Sequence, residues 1–204
     1  EGDNTSLSNV WAWDAGQQGI AISGNYTTID ASRLGVNSIS DTACNTISDH
    51  GNTYNGVYIM STATYATVKN SYLGCNGTGV YIVSTVVAGH HTLGPNNRIG
   101  VNSSNGGNLG NLNSGVYVGM NNNVVMSNTI AFNNRYGLEI TGDFNYVGGN
   151  GIRANTEAGV ALRAWASNNT IGKLSLFGTI VSNTIGSNYG HGILITDTTT
   201  PPGF

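Results

Sequence analysis

A tetrad of glycine, aliphatic, any residue, aliphatic recurs seven times: Gly19-Ile20-Ala21-Ile22, Gly56-Val57-Tyr58-Ile59, Gly79-Val80-Tyr81-Ile82, Gly115-Val116-Tyr117-Val118, Gly137-Leu138-Glu139-Ile140, Gly159-Val160-Ala161-Leu162 and Gly192-Ile193-Leu194-Ile195. The tetrads begin 37, 23, 36, 22, 22 and 33 residues apart, so a unit of 22 or 23 residues repeats and three longer intervals carry insertions. Asparagine columns accompany it. One lies nine residues before the glycine, at Asn70, Asn128, Asn150 and Asn183. Another lies four before it, at Asn52, Asn111, Asn133, Asn155 and Asn188, with Cys75 in that slot of the middle repeat. Asn123 and Asn145 follow their glycines by eight. Chance rarely aligns three asparagine columns on one glycine column.

Alternating aliphatics in runs of four suit half-buried strands, with every second side chain facing inward. One such unit cannot bury its own apolar side, so each repeat must stack on its neighbours. The asparagines fall at corners, where the chain turns and left-handed backbone geometry is tolerated. Stacked at the strand spacing of about 4.8 Å, like amides hydrogen-bond up the column and satisfy groups that burial would otherwise leave unpaired. The glycine before each strand is read as permitting the tight corner. The expectation is an all-β, right-handed, single-stranded parallel β-helix of about 7–8 rungs, a rod of roughly 35–40 Å at that spacing. Its insertions fall between Ile22 and Gly56, between Ile82 and Gly115, and between Leu162 and Gly192. Residues 1–18, with Trp11 and Trp13, lack the repeat and read as an N-terminal cap. The β-helix is placed at 19–197, and 198–204 reads as an extended tail or linker.

Thirty glycines and 29 asparagines stand against 17 charged residues, a mixture poor in helix formers. Still, 39% of the chain is apolar, enough for a core. A net charge of −3 with seven scattered Lys and Arg argues against a nucleic-acid partner, and no apolar run is long enough to span a bilayer. The opening at Glu1, without methionine or signal segment, reads as a processed form or an excised segment. Scarce lysine, abundant Asn, Thr and Ser, and sequons at Asn4, Asn25, Asn76, Asn102 and Asn168 suit an extracellular or cell-surface setting. Two cysteines permit one disulfide, but the repeat register does not put Cys44 and Cys75 in one column, so a bridge is not expected.

Asn183-Thr184-Ile185, Asn188 and Gly192-Ile193-Leu194-Ile195 together resemble the parallel β-helix repeat of the pectin-lyase-like superfamily. Asn128-Thr129-Ile130, Asn133 and Gly137-Leu138-Glu139-Ile140 are similar, as is the unit running from Asn169-Thr170-Ile171-Gly172 to Ile195, in a style common in bacterial surface proteins. The resemblance covers roughly residues 19–195. It implies the fold and says little of activity, since the superfamily includes lyases, hydrolases, epimerases, phage tailspikes and inert adhesin stalks.

Catalytic members of that superfamily use clustered acids that hold calcium, or close aspartates. Calcium needs several oxygens at one place, and general acid–base hydrolysis needs two facing carboxylates. The ten acids here are dispersed, with no Asp-Asp or Asp-x-Asp pair. Asp30, Asp41, Asp49 and His50 share the first insertion and form the one acidic cluster worth naming. His90 and His91 are adjacent, so in a strand they face opposite ways. Arg135, Arg153 and Arg163 form a modest basic patch if their coils align. Tyr58, Tyr81 and Tyr117 occupy the outward position of their tetrads. Such a stripe suits stacking of a long glycan, or it packs against the inserted loops. No catalytic residue, metal ligand or cofactor is expected, and calcium lacks a ligand cluster. The leading expectation is a non-catalytic extracellular structural or adhesive module that self-associates, stacking end to end into a surface fibre. The alternatives are a polysaccharide lyase, hydrolase or epimerase, and a glycan-binding module using the tyrosines.

Overall fold

The computed structural model describes residues 3–38, 40, 42–44, 51–85, 88–164, 166–172, 174–176 and 179–196. The chain winds as a right-handed parallel β-helix with three all-parallel sheets of seven strands. Sheet 1 holds Ser6–Ser8, Thr28–Asp30, Thr67–Lys69, Thr92–Leu93, Val124–Met126, Tyr146–Gly148 and Thr170–Gly172. Sheet 2 holds Trp11–Ala12, Arg33–Leu34, Tyr72–Leu73, Arg98–Ile99, Thr129–Ala131, Gly151–Arg153 and Thr184–Gly186. Sheet 3 carries the tetrads: Ile20–Ile22, Asn55–Ile59, Thr78–Ile82, Val116–Val118, Leu138–Ile140, Val160–Leu162 and Ile193–Ile195. Taken in order, these strands make coils 1 to 7, and six steps separate the outermost strands by roughly 29 Å. Residues 6–12 of the expected cap supply the first strands of sheets 1 and 2, and 198–204 lie outside the described residues.

Inward side chains stack in columns. Ile29, Val68, Leu93, Val125 and Val147 form one in sheet 1, and Leu34, Leu73, Ile99, Ile130 and Ile152 one in sheet 2, all nearly inaccessible. The tetrad aliphatics close the third side in a single core. In coil 7 the same inward positions, Ile193 and Ile195, are exposed.

Three side-chain ladders run up the corners. Between sheets 1 and 2, both the backbone N–H and the Nδ2 of Asn97 donate to Asn128 Oδ1 (3.3 and 3.0 Å), those of Asn128 to Asn150 Oδ1 (3.0 and 3.0 Å), and those of Asn150 to Asn183 Oδ1 (3.0 and 3.1 Å). Between sheets 2 and 3 the same double donation links Asn52, Asn76, Asn111, Asn133, Asn155 and Asn188. Between sheets 3 and 1, His91, Asn123, Asn145 and Asn169 are joined through backbone N–H donors.

Four details depart from the sequence reading. Asn70 is not a ladder residue: it is exposed, bonds Asp30 and Asn96, and leaves the column to Ser71, whose N–H donates to Asn97 Oδ1 at 3.0 Å. Likewise Asn76, not Cys75, fills the second column in coil 3. Only Gly77 and Thr78 separate Asn76 from its glycine, whereas Thr53, Tyr54 and Asn55 separate Asn52 from Gly56, so counting back from the glycine lands one residue early. At most corners the left-handed backbone belongs to the residue before the ladder residue, not to the ladder residue itself; Gly110, before Asn111, is an exception. Asn70, Cys75, Ser127, Phe132, Ala154 and Ser187 all lie at φ between 51 and 62°. The tetrad glycine is required for space rather than for φ: a Cβ on Gly137 would meet Asn155 Nδ2 at 2.7 Å and the Gly159 carbonyl oxygen at 2.7 Å.

The same corner geometry explains the disulfide that does form, Cys44–Cys75, with Cα atoms 5.5 Å apart. Cys75 is the left-handed residue beside the ladder, free of the inner column, and Cys44 reaches it from the first insertion. That insertion occupies 35–54 in coil 2. The second occupies 100–115 in coil 4, and both leave from the corner between sheets 2 and 3. The third lies between sheets 1 and 2 in coil 7 and carries the antiparallel pair Leu174–Leu176 and Thr179–Val181.

Asn133 accepts two hydrogen bonds from Asn111 and donates two to Asn155, all buried. Asn133→Ala should cost about 2–4 kcal/mol, since it strands buried donors and leaves a void. Asn133→Ser should cost less, because Ser71 serves such a column in coil 3. Urea unfolding, with the exposed Asn134→Ala as control, measures both.

Candidate functional site

The outer face of sheet 3 carries one column in strict register: Ala21, Tyr58, Tyr81, Tyr117, Glu139, Ala161 and Leu194. The three tyrosines meet as the sequence places them. Tyr81 and Tyr117 stack at 4.5 Å with planes 9° apart, and Tyr58 meets Tyr81 at 5.8 Å and 30°. Rings 4.8 Å apart up a β-column stack on one another, so they turn edges and hydroxyls outward rather than open faces. Tyr117 Oη lies 2.9 Å from Thr141 Oγ1. Burial, with the neighbouring tyrosines and Glu139, pushes the Tyr81 phenol up to about 12, so it stays a hydrogen-bond donor across the physiological range.

Below the tyrosines the face closes. Glu139 is 6% exposed; Arg163 Nη1 donates to its Oε1 at 2.6 Å and Ser114 Oγ to its Oε2 at 2.9 Å. Tyr136, itself buried, packs with Ala158, Ala161 and Leu194, and the guanidiniums of Arg135 and Arg163 lie 4.9 and 5.8 Å from its ring. Arg135 pairs with Glu157 at 3.6 Å.

Above, a groove follows the entering edge of sheet 3. A depression of about 450 Å³ is lined by Gln18, Tyr54, Asn55, Thr78, Tyr81 and Asn113 among others. A second of about 210 Å³ shares Thr78, Tyr81 and Asn113 with it and continues to Ser114, Tyr117, Arg135 and Glu139. The groove spans coils 1 to 5, four steps or roughly 19 Å. Both insertions of this corner border it, supplying Tyr54 and Asn113, and Tyr58, Tyr81 and Tyr117 are half-buried. Tyr54 is the residue that the sequence reading missed. It is 56% exposed and offers the open aromatic surface that the stacked tyrosines lack. Its signal lay only in its place just ahead of a tetrad, at a corner where an insertion returns.

The other sequence candidates disperse. Asp30 is on a strand of sheet 1 rather than in the insertion. It pairs with Lys69 at 3.5 Å, and the hydrogen bond from Asn70 holds its carboxyl below the usual range. Asp41, Asp49 and His50 lie outside the described residues. Arg135, Arg153 and Arg163 do not align: Arg163 is buried beneath Tyr136, Arg135 borders the groove, and Arg153 is on sheet 2. Among the described residues no group of three or more His, Cys, Asp or Glu is placed to hold a metal ion, and no α-helix is long and apolar enough to cross a membrane. His90 and His91 diverge at a corner just ahead of a strand rather than within one. His90 stacks on Tyr65 at 5.1 Å, and Tyr65 stacks on Tyr26 at 4.9 Å. Compared with models of protein families, with curated proteins and with solved structures, the chain finds no match.

His91 takes the place of a ladder asparagine. It is 1% exposed, its Nδ1 accepts the Ala66 N–H at 3.0 Å, and its Nε2 faces Met120 Sδ at 3.3 Å. An accepting Nδ1 requires the neutral ring, and burial, with the charge of His90, lowers its pKa from 6.5 to about 4. Between those values the unfolded chain holds more protons than the folded one, so stability falls as the pH drops through that window, by about 3 kcal/mol in all. His91→Asn should keep a ladder side chain and flatten that loss. Melting temperatures of both proteins from pH 7 to pH 4 test it: a wild-type curve as flat as the variant's would count against the assignment.

Proposed function

We propose that this chain is a non-catalytic extracellular adhesive module, a pectin-lyase-like β-helix that holds a neutral polysaccharide in the groove beside Tyr54 and Tyr81. One observation carries the reading: a groove roughly 19 Å long whose larger part combines tyrosines with uncharged hydrogen-bonding side chains (Gln18, Asn55, Thr78, Asn113), while the charged pair at its far end, Arg135 and Glu139, is engaged by Glu157 and Arg163. Sugars present apolar C–H faces rimmed by hydroxyls, and such a wall meets both, with Tyr54 as the stacking platform and the Tyr81 hydroxyl as donor. The carboxylate in the groove, Glu139, has both oxygens engaged by Arg163 and Ser114. A glycosidase of the common kind works with two carboxylates and needs one free to take or give a proton. The Cys44–Cys75 bridge supports an oxidising, extracellular setting.

Binding of neutral glycans such as xylan, mannan and β-glucan, measured by affinity electrophoresis, tests the reading. Tyr54→Ala and Tyr81→Ala should each weaken the retained glycan about tenfold, the scale of one stacking or buried hydrogen-bond contact. Equal retention by wild type and both variants would exclude the groove.

A second reading, growth of the rod by self-association, rests on the exposure of Ile193 and Ile195 at 47% and 78% in coil 7. Open strand ends are templates for strand addition. Electron microscopy of the native protein should then show threads in line with the coil axis, and discrete particles alone would end this reading.

A further inference from the structure

The outer face of sheet 2 carries chemistry that the tyrosine groove does not use. Its register column reads Trp11, Arg33, Tyr72, Arg98, Thr129, Gly151 and Thr184. Aromatic and guanidinium groups alternate in its first four coils: Arg33 Cζ sits 4.1 Å over the Trp11 ring and Arg98 Cζ 5.8 Å from the Tyr72 ring. Arg153 follows Gly151 on the same strand, two residues on and so on the same face. Three of the chain's seven Lys and Arg therefore share one face, while no position of the column is acidic. Among the described residues none of the three forms an ion pair.

A depression of about 230 Å³ opens beside Arg98, floored by Thr129 and Gly151. It exists because those residues are small: a Cβ on Gly151 would meet nothing within 4 Å. The second insertion draws a second cation toward Arg98. Arg98 Nη1 donates to Asn105 Oδ1 at 2.9 Å, and Arg153 Nη2 donates to the Asn105 carbonyl oxygen at 2.6 Å. One loop residue thus fixes two guanidiniums through neutral acceptors, which leaves their charge uncompensated and their other N–H groups available.

We infer that this face binds an anionic polysaccharide, with one carboxylate or sulfate group held where Arg98 and Arg153 converge on Asn105 and a second one by Arg33. Guanidinium forks match both anions in bidentate geometry. Arg33 and Arg98 stand in coils 2 and 4, about 10 Å apart along the axis, a spacing comparable to the disaccharide repeat of an extended glycan, and Arg153 in coil 6 reaches back to share Asn105 with Arg98. The chain carries a net charge of −3 and only seven Lys and Arg, which favours a glycan over a nucleic acid as the polyanion. This face is separate from the tyrosine groove and does not depend on it.

Polygalacturonate, dextran sulfate and uncharged dextran are the probes, titrated by calorimetry into the whole chain at low and at moderate salt. The expected result is salt-sensitive binding of one or both anionic polymers. Their ranking assigns the group as carboxylate or sulfate. Gly151→Glu, which places a carboxylate in open space between the arginines, and Arg98→Gln/Arg153→Gln should each weaken binding about tenfold or more. Tyr54→Ala and Tyr81→Ala should leave it unchanged. Three results would overturn the proposal: no binding of either polymer, wild-type affinity in both the Gly151 and the arginine variants, or equal affinity for a single-stranded oligonucleotide. A loss in the tyrosine variants would move the polymer to the other face and overturn it as well.

Discussion

Everything in this structure depends on the hydrogen bond from one corner to the next coil's corner. A coil has no stability of its own, since its three short strands enclose only a thin slice of core. What holds the coils in register is the amide column. An asparagine accepts through Oδ1 from the coil on one side and donates through N–H and Nδ2 to the coil on the other, so one residue type serves most steps. The column sits where strands cannot pair, at the turns, and it satisfies backbone groups that the turn would otherwise leave buried and unbonded.

That arrangement explains the local sequence. At most corners the residue that precedes the inward amide takes left-handed backbone geometry, and residues as different as Asn70, Phe132 and Ala154 do so. Such geometry is unfavourable for each of them alone. Position in the coil therefore overrides residue preference. The glycine of each of the first six tetrads yields space to the ladder amide rather than conformational freedom to the chain. Where a ladder asparagine is replaced, the substitute keeps the acceptor: Ser71 through Oγ and His91 through Nδ1. His91 brings a proton equilibrium that asparagine lacks.

A solenoid with these constraints inside has freedom outside. Two of its three insertions leave from one corner, and they border the groove along sheet 3. One also reaches sheet 2, where Asn105 holds two arginines. The two faces differ in chemistry, neutral and tyrosine-rich on sheet 3, cationic on sheet 2. The strands between them are the same scaffold. The working surfaces are thus set by the outward positions of the strands and by the loops, while the inward positions are fully occupied by the core and the ladders.

The sequence alone determined the fold, the tetrad columns and the outward tyrosine row, because all three follow from periodicity, and periodicity in a stacked solenoid is translated directly into space. It also pointed to most of the ladder residues. It misplaced Asn70 and Cys75, since a single missing residue between Asn76 and Gly79 shifts a count without leaving a mark in composition. It spoke against the Cys44–Cys75 bridge, because an insertion has no register from which to judge its reach. Only the tertiary structure decided which side chains meet across coils from different columns: Arg163 with Glu139 over an outward face, Tyr54 beside Tyr81, Arg98 and Arg153 around Asn105. Those contacts join residues 7 to 48 positions apart through loops and corners, where the repeat no longer sets the distance, so no spacing in the chain could announce them.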